Sequence, residues 1–108
     1  MSVVEVKVLP IGTDEASISS YIEDCFEIAA SAIGVESVLT PTSTLLEGEL
    51  DDILPVVEAM HQSPFYSGVD RVVTTITIDD RLDKPLDMSS MVEAILKDDV
   101  DVLDFGEE

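Results

Sequence analysis

The chain has 108 residues, 45% of them apolar, with three Phe, two Tyr and no Trp, a composition that fits one modest aliphatic core. Its 24 acidic and five basic residues give a net charge of −19; such a field repels phosphate backbones and anionic lipid, which argues against nucleic acid and membrane surfaces as partners. One cysteine, Cys25, leaves no intrachain disulfide and no cysteine cluster for zinc or iron.

No apolar run reaches 18 residues, and the first residues lack a basic stretch followed by an apolar one, so neither a membrane span nor a secretory signal is expected. A cytoplasmic location follows as the default. The acids are spread along the chain rather than gathered in a tail, and a dense carboxylate surface of that kind stays screened and soluble in molar salt. A halophilic, salt-rich cytoplasm is therefore expected.

Val3 to Leu9 alternates, with Val4, Val6 and Val8 on one face and Glu5 and Lys7 on the other, and Pro10 and Gly12 end this half-buried strand. Ile18, Ile22, Cys25, Ala29 and Ala32 then follow helical spacing between a Ser17 cap and a Gly34 stop. Val35 to Thr40 and Thr44 to Glu47 read as two strands of a hairpin turned at Pro41. Leu45 and Leu46 are adjacent, so the pattern leaves open which of them faces the core. Leu50 to Gln62 returns to helical spacing through Ile53, Val57 and Met60; Pro55 is tolerable if the helix begins near Asp51. Ser63 to Asp70 reads as a loop.

Arg71 to Lys84 is the most informative stretch. It sets Val72, Thr74, Ile76 and Ile78 on one face and Val73, Thr75 and Thr77 on the other. The second face is a row of hydroxyls suited to another subunit or a small polar ligand. Strand, helix, strand, strand, helix, strand is the ferredoxin-like order, an α+β sandwich with a four-stranded antiparallel sheet. Both helices cover one face, and Glu5 and Lys7 join the hydroxyl row on the bare one. A third helix is expected over Met88 to Lys97, completing one domain over residues 1–97, with an acidic, mobile tail over 98–108.

Several residues invite a chemical role. Thr42, Ser43 and Thr44 supply adjacent donors and acceptors, with the Glu47 carboxylate three residues on; hairpin-turn chemistry explains the same residues without a ligand. Tyr21, one position off the apolar stripe of its helix, is either a ring for stacking or a boundary residue. Arg81 and Lys84 stand among Asp79, Asp80 and Asp83, as an ion-pair or interface cluster or as an anion site. His61, near the end of its helix, suits the negative helix terminus better than a metal, and Cys25 on the apolar stripe reads as core with a raised pKa. No catalytic triad, glycine-rich phosphate loop or metal motif is present, so no catalytic or metal-ligating residue and no cofactor is expected. An acylphosphatase, the enzyme rival on fold grounds, needs an Asn to orient water, and the chain has none.

Val8-Leu-Pro-Ile-Gly-Thr13, Pro41-Thr-Ser-Thr-Leu-Leu-Glu-Gly-Glu49 and the Asp80-Arg-Leu-Asp-Lys84 end of the long strand, in that order and spacing, resemble the thiamine-binding, YkoF-like small proteins also called UPF0045 or DUF77. The resemblance implies a ferredoxin-like protein that binds thiamine or its hydroxymethylpyrimidine portion without catalysis, and a homotetramer built as a dimer of sheet-to-sheet dimers. It assigns ligand binding to Thr42, Ser43, Thr44 and Glu47, whose hydroxyls and carboxylate match an aminopyrimidine joined to a thiazolium; Tyr21 is added as a ligand residue from its place on the first helix, where its ring can meet the pyrimidine. The family often has Gly or Asn where Ser43 stands. The alternative is a structural or regulatory oligomer with an unrelated small ligand or none.

Overall fold

The computed structural model describes residues 1–12, 19–84 and 86–98. In chain order it contains β1 (Ser2–Ile11), α1 (Ser19–Ser31), β2 (Val35–Leu39), β3 (Thr44–Gly48), α2 (Leu50–Tyr66), β4 (Arg71–Asp80) and α3 (Met88–Asp98). The strands form one sheet in the order β2-β3-β1-β4, and every neighbouring pair is antiparallel. This is the ferredoxin-like α+β arrangement with a further carboxyl-terminal helix. The Ser17 cap and the tail beyond Asp98 lie outside the described residues.

The register settles which side chains share a face, because residues directly opposite in antiparallel strands point the same way. Val4 stands between Leu46 and Ile78, and Val6 between Thr44 and Ile76. That set faces the helices, where Val4, Val6, Leu46 and Val35 close on Cys25 and Ala29 of α1 and Ile53, Val57 and Met60 of α2. Leu46 and Ile53 are fully enclosed, each adding about 2 kcal/mol from removal of apolar surface from water. Leu46, not Leu45, is thus the core residue of β3. The opposite face carries Glu5, Lys7 and Leu9 of β1 beside Thr77, Thr75 and Val73 of β4, with the hydroxyl row and the two charged residues together as expected.

Two glycines hold α1, β2 and β3 close. Gly34 takes φ +83 after α1, a left-handed turn that other residues adopt at a cost. A Cβ on Gly48 would lie 2.7 Å from the Gly34 carbonyl oxygen, closer than van der Waals contact allows, so the β3 strand can pass β2 at this point only without a side chain.

The second helix extends beyond its expected end, running to Tyr66 with both Pro55 and Pro64 inside it. Pro64 has no N–H to give the carbonyl four residues back, which belongs to Met60. The Cys25 thiol of α1 donates to that same Met60 carbonyl at 3.3 Å, so the acceptor that the proline strands is satisfied from the neighbouring helix. The helix therefore continues through a residue that reads locally as a stop. His61 consequently sits five residues before the helix end, and its Nδ1 is 2.6 Å from Thr74 Oγ1 of β4, with its ring edge-on to Phe65 at 5.7 Å. It ties α2 to the sheet instead of facing the helix terminus.

β4 is an edge strand, and α2 covers it only in part. Ile76 and Ile78 point to the helix side yet remain 43% and 47% exposed, and Val72 and Thr74 at the other end of the expected core face are only half-buried. After β4 the chain reaches α3 by way of Leu86, which is buried. The Asp87 side chain accepts from the Ser90 backbone N–H at 2.7 Å and caps α3; these bonds to Ser90 hold the Asp87 carboxyl below its ordinary pKa. The Glu47 carboxylate takes the neighbouring Met88 N–H at 2.8 Å. Val92 and Ile95 of α3 remain outward, 54% and 61% exposed.

Candidate functional site

β1 has ten residues and β3 only five, and their pairing ends at Val6 opposite Thr44. Past Val6, β1 continues on β4 alone as far as Ile11 opposite Arg71. Its other edge has no ladder partner there among the described residues, which leaves a notch in the sheet with main-chain donors and acceptors along one wall. Since no strand lies alongside, residues of both faces of β1 line the notch: Val6 and Val8 of the helix side, Lys7 and Leu9 of the open side. Ile22 and Cys25 of α1 and Met60 of α2 form an apolar floor, and residues 40–44 of the hairpin complete a cavity of about 330 Å³, at the small end of the range for ligand pockets.

Thr40 organises the hairpin. Its N–H donates to the Ser43 carbonyl at 2.9 Å, and its Oγ1 accepts from the Ser43 N–H at 2.9 Å and donates to the Ser43 carbonyl at 3.0 Å. The Ser43 hydroxyl donates to Glu5 Oε2 at 3.0 Å, linking the turn to the first strand. Thr42 is exposed at the tip, whereas Thr44 is buried at the cavity wall.

Thr42, Ser43 and Thr44 therefore all line one cavity. Glu47 does not join them: the period-2 alternation of β3 puts it on the open face, opposite Val3, where its carboxylate holds the start of α3. The acid that touches the hairpin is Glu5. Tyr21 is half-buried and stands outside the lining, and Ile22, its neighbour, faces the cavity instead. Lys7, Thr40, Ile22, Cys25 and Met60 were not singled out for the site from sequence. Lys7 carried the one usable signal, being the only basic residue before Arg71.

Arg81 lies at the far end of the sheet, just beyond Asp80, which pairs with Ser2. Its guanidinium donates to both carboxylate oxygens of Asp83 at 2.7 and 2.6 Å. Those bonds, first among the causes, raise the Arg81 pKa and lower that of Asp83. The Arg81 charge is engaged locally, and Arg81 is separated from the notch by most of β1. Cys25 has its thiol pushed up to about 11, first by burial and then by the Asp24 charge, which makes it a weak nucleophile at neutral pH. Among the described residues, no group of three or more His, Cys, Asp and Glu is placed to hold a metal ion, and no helix is long and apolar enough to cross a membrane.

The family profile described as "Thiamine-binding protein" matches residues 4–96. The UPF0045 protein YqgV of Bacillus subtilis is 42% identical over 100 residues, covering 90% of this chain and 96% of that protein. The solved structure of protein MJ1052 from Methanocaldococcus jannaschii superposes with a TM-score of 0.78 at 34% identity, over 87% of this chain and 94% of that one. A Thermotoga maritima protein, proposed to act in thiamine biosynthesis or salvage, shares the fold with a TM-score of 0.72 at 21% identity, over 87% of this chain and 97% of that one. The notch, the hairpin and the glycine-dependent β2–β3 contact all fall within the matched span, and the chain belongs to the thiamine-binding protein family, the UPF0045 or DUF77 group.

Proposed function

We propose that the chain binds thiamine or its hydroxymethylpyrimidine portion in the notch beside β1, without catalysing a reaction on it. The observation that carries this reading is the coincidence of three features in one cavity: an unpaired stretch of β1 edge, an apolar floor and the hydroxyls of Thr42 and Thr44. An aminopyrimidine is flat and apolar on its faces and alternates acceptor and donor around its rim. A strand edge offers the matching alternation, and the floor of Ile22, Cys25 and Met60 supplies a surface for the ring. Membership of a thiamine-binding family, and a fold neighbour proposed to act in thiamine biosynthesis or salvage, support the same ligand class.

The reading includes a homo-oligomer, a dimer of dimers formed through the open sheet face and working in the cytoplasm. Leu9, Val38 and Val73 share that face and are 47%, 45% and 42% exposed, which suits burial against a second copy. The same exposed residues favour the second reading, a structural or regulatory oligomer that needs no thiamine.

Calorimetric titration of thiamine and of the pyrimidine alcohol separates the two. Saturable binding that Thr44→Val weakens by about fivefold, the worth of one hydrogen bond, supports the site. Absence of heat and of thermal stabilisation with both ligands would leave the structural oligomer.

A further inference from the structure

We infer that the cavity takes its ligand as a phosphate ester, with the pyrimidine on the apolar floor and the phosphate at Lys7. This rests on the pyrimidine-binding reading above and names the chemical class within it. The argument comes from charge. The chain has 24 acids and five bases, yet among the described residues that line the cavity the only charged one is Lys7 and none is acidic. The composition would lead one to expect the reverse.

Lys7 is also without an ion-pair partner among the described residues. The two ion pairs among the described residues join the Met1 amine to Glu49 and Arg81 to Asp83, and Lys7 is in neither. Its nearest neighbours on the open face are Glu5 and Leu9 along β1 and Thr75 across on β4. Glu5, the one carboxylate in that set, accepts the Ser43 hydroxyl. With β3 ended, Lys7 stands at the rim of the notch on the open face, the one charged residue among the described ones that line the cavity. Lysine is a compact cation suited to a phosphate, and the exposed Thr42 adds a hydroxyl at the same rim. A bare thiazolium meets this cation unfavourably, whereas a phosphate beyond the ring reverses the sign. The expected anion partner thus shifts from Arg81 and Lys84 to Lys7.

The test is equilibrium binding by calorimetry of the whole chain to hydroxymethylpyrimidine, its monophosphate, thiamine, thiamine monophosphate and inorganic phosphate. It compares wild type with Lys7→Gln and Lys7→Arg in moderate salt, where screening is incomplete. The pyrimidine monophosphate is expected to bind about fivefold more tightly than the alcohol, the size of one favourable partly exposed ion pair. Thiamine monophosphate should exceed thiamine, and inorganic phosphate alone should bind weakly. Lys7→Gln should bring the ester-to-alcohol ratio to one or below, and Lys7→Arg should keep it above one. A ratio at or below one in wild type, or one that Lys7→Gln leaves as it was, overturns the inference while pyrimidine binding stands. Failure of all four organic ligands to bind overturns both.

Discussion

The two halves of β1 differ in what holds them. From Ser2 to Val6 the strand is held by β3 on one side and β4 on the other, and Val4 and Val6 are almost wholly enclosed. From Lys7 to Ile11 it has β4 alone, and Leu9 is 47% exposed. One continuous alternating segment thus supplies the centre of the core and, a few residues on, the wall of an open cavity. The lesson is that strand length, rather than strand pattern, separates core from cavity here: β3 stops and the notch begins.

The sharpest way to break this comparison is to truncate one side chain packed against the held half and one within the open half. Leu46→Ala, opposite Val4, removes a side chain with no exposed surface and should cost about 3 kcal/mol in urea unfolding. Leu9→Ala should cost less than about 0.5 kcal/mol by the same measurement. Equal losses would mean that the notch is part of the core and that the division between the halves is false.

Gly48→Ala tests the closure of the held half from its other side. The new methyl meets a backbone carbonyl, that of Gly34 at 2.7 Å, rather than a side chain that can turn away. The loss should be about 2 kcal/mol, typical of overpacking against a fixed neighbour. A neutral substitution would show that β2 and β3 can separate without consequence.

Much of this was legible in the sequence, and the failures have physical causes. Period-2 and helical spacing located the strands and the three helices, and the order of the elements placed them in a ferredoxin-like sheet. The carboxyl end of α2 was not legible: Pro64 stops a helix by any local rule, and the compensating donor is Cys25, 35 residues away in α1. The side on which Glu47 lies was hidden by the Leu45–Leu46 pair, which fits either face until the register with Val4 is known. Alternation puts Lys7 on the open face, as found, but its place at the notch depends on where a different strand ends.

The Cys25 contact gives the next prediction in size. Cys25→Ala removes the donor to the Met60 carbonyl, while Pro64→Ala returns an ordinary helical N–H to that acceptor. The penalty for Cys25→Ala should therefore be smaller in the Pro64→Ala background, by about 1 kcal/mol. The same thiol sets a pH dependence. Its folded pKa of about 11 lies above the ordinary thiol value of 9.0, so the unfolded chain loses the proton first. Its contribution is whole below about 9 and declines as the pH rises towards 11. That decline should vanish from the denaturation profile of Cys25→Ala.

Glu47→Ala yields the smallest effect and bears most directly on the division of labour. The sequence places Glu47 beside the hairpin hydroxyls, three residues from Thr44, but alternation along β3 turns it to the open face, where its carboxylate accepts the Met88 N–H at 2.8 Å. An exposed helix start supported by one such bond loses under about 1 kcal/mol when it is removed. The change should appear as faster amide exchange in α3, with little effect on the global unfolding of the core around Leu46. Pyrimidine affinity should stay at the wild-type value. A parallel fall in affinity would place the Glu47 carboxylate in the ligand site after all, and would mean that the open face, not the notch beside Lys7, is where the ring is held.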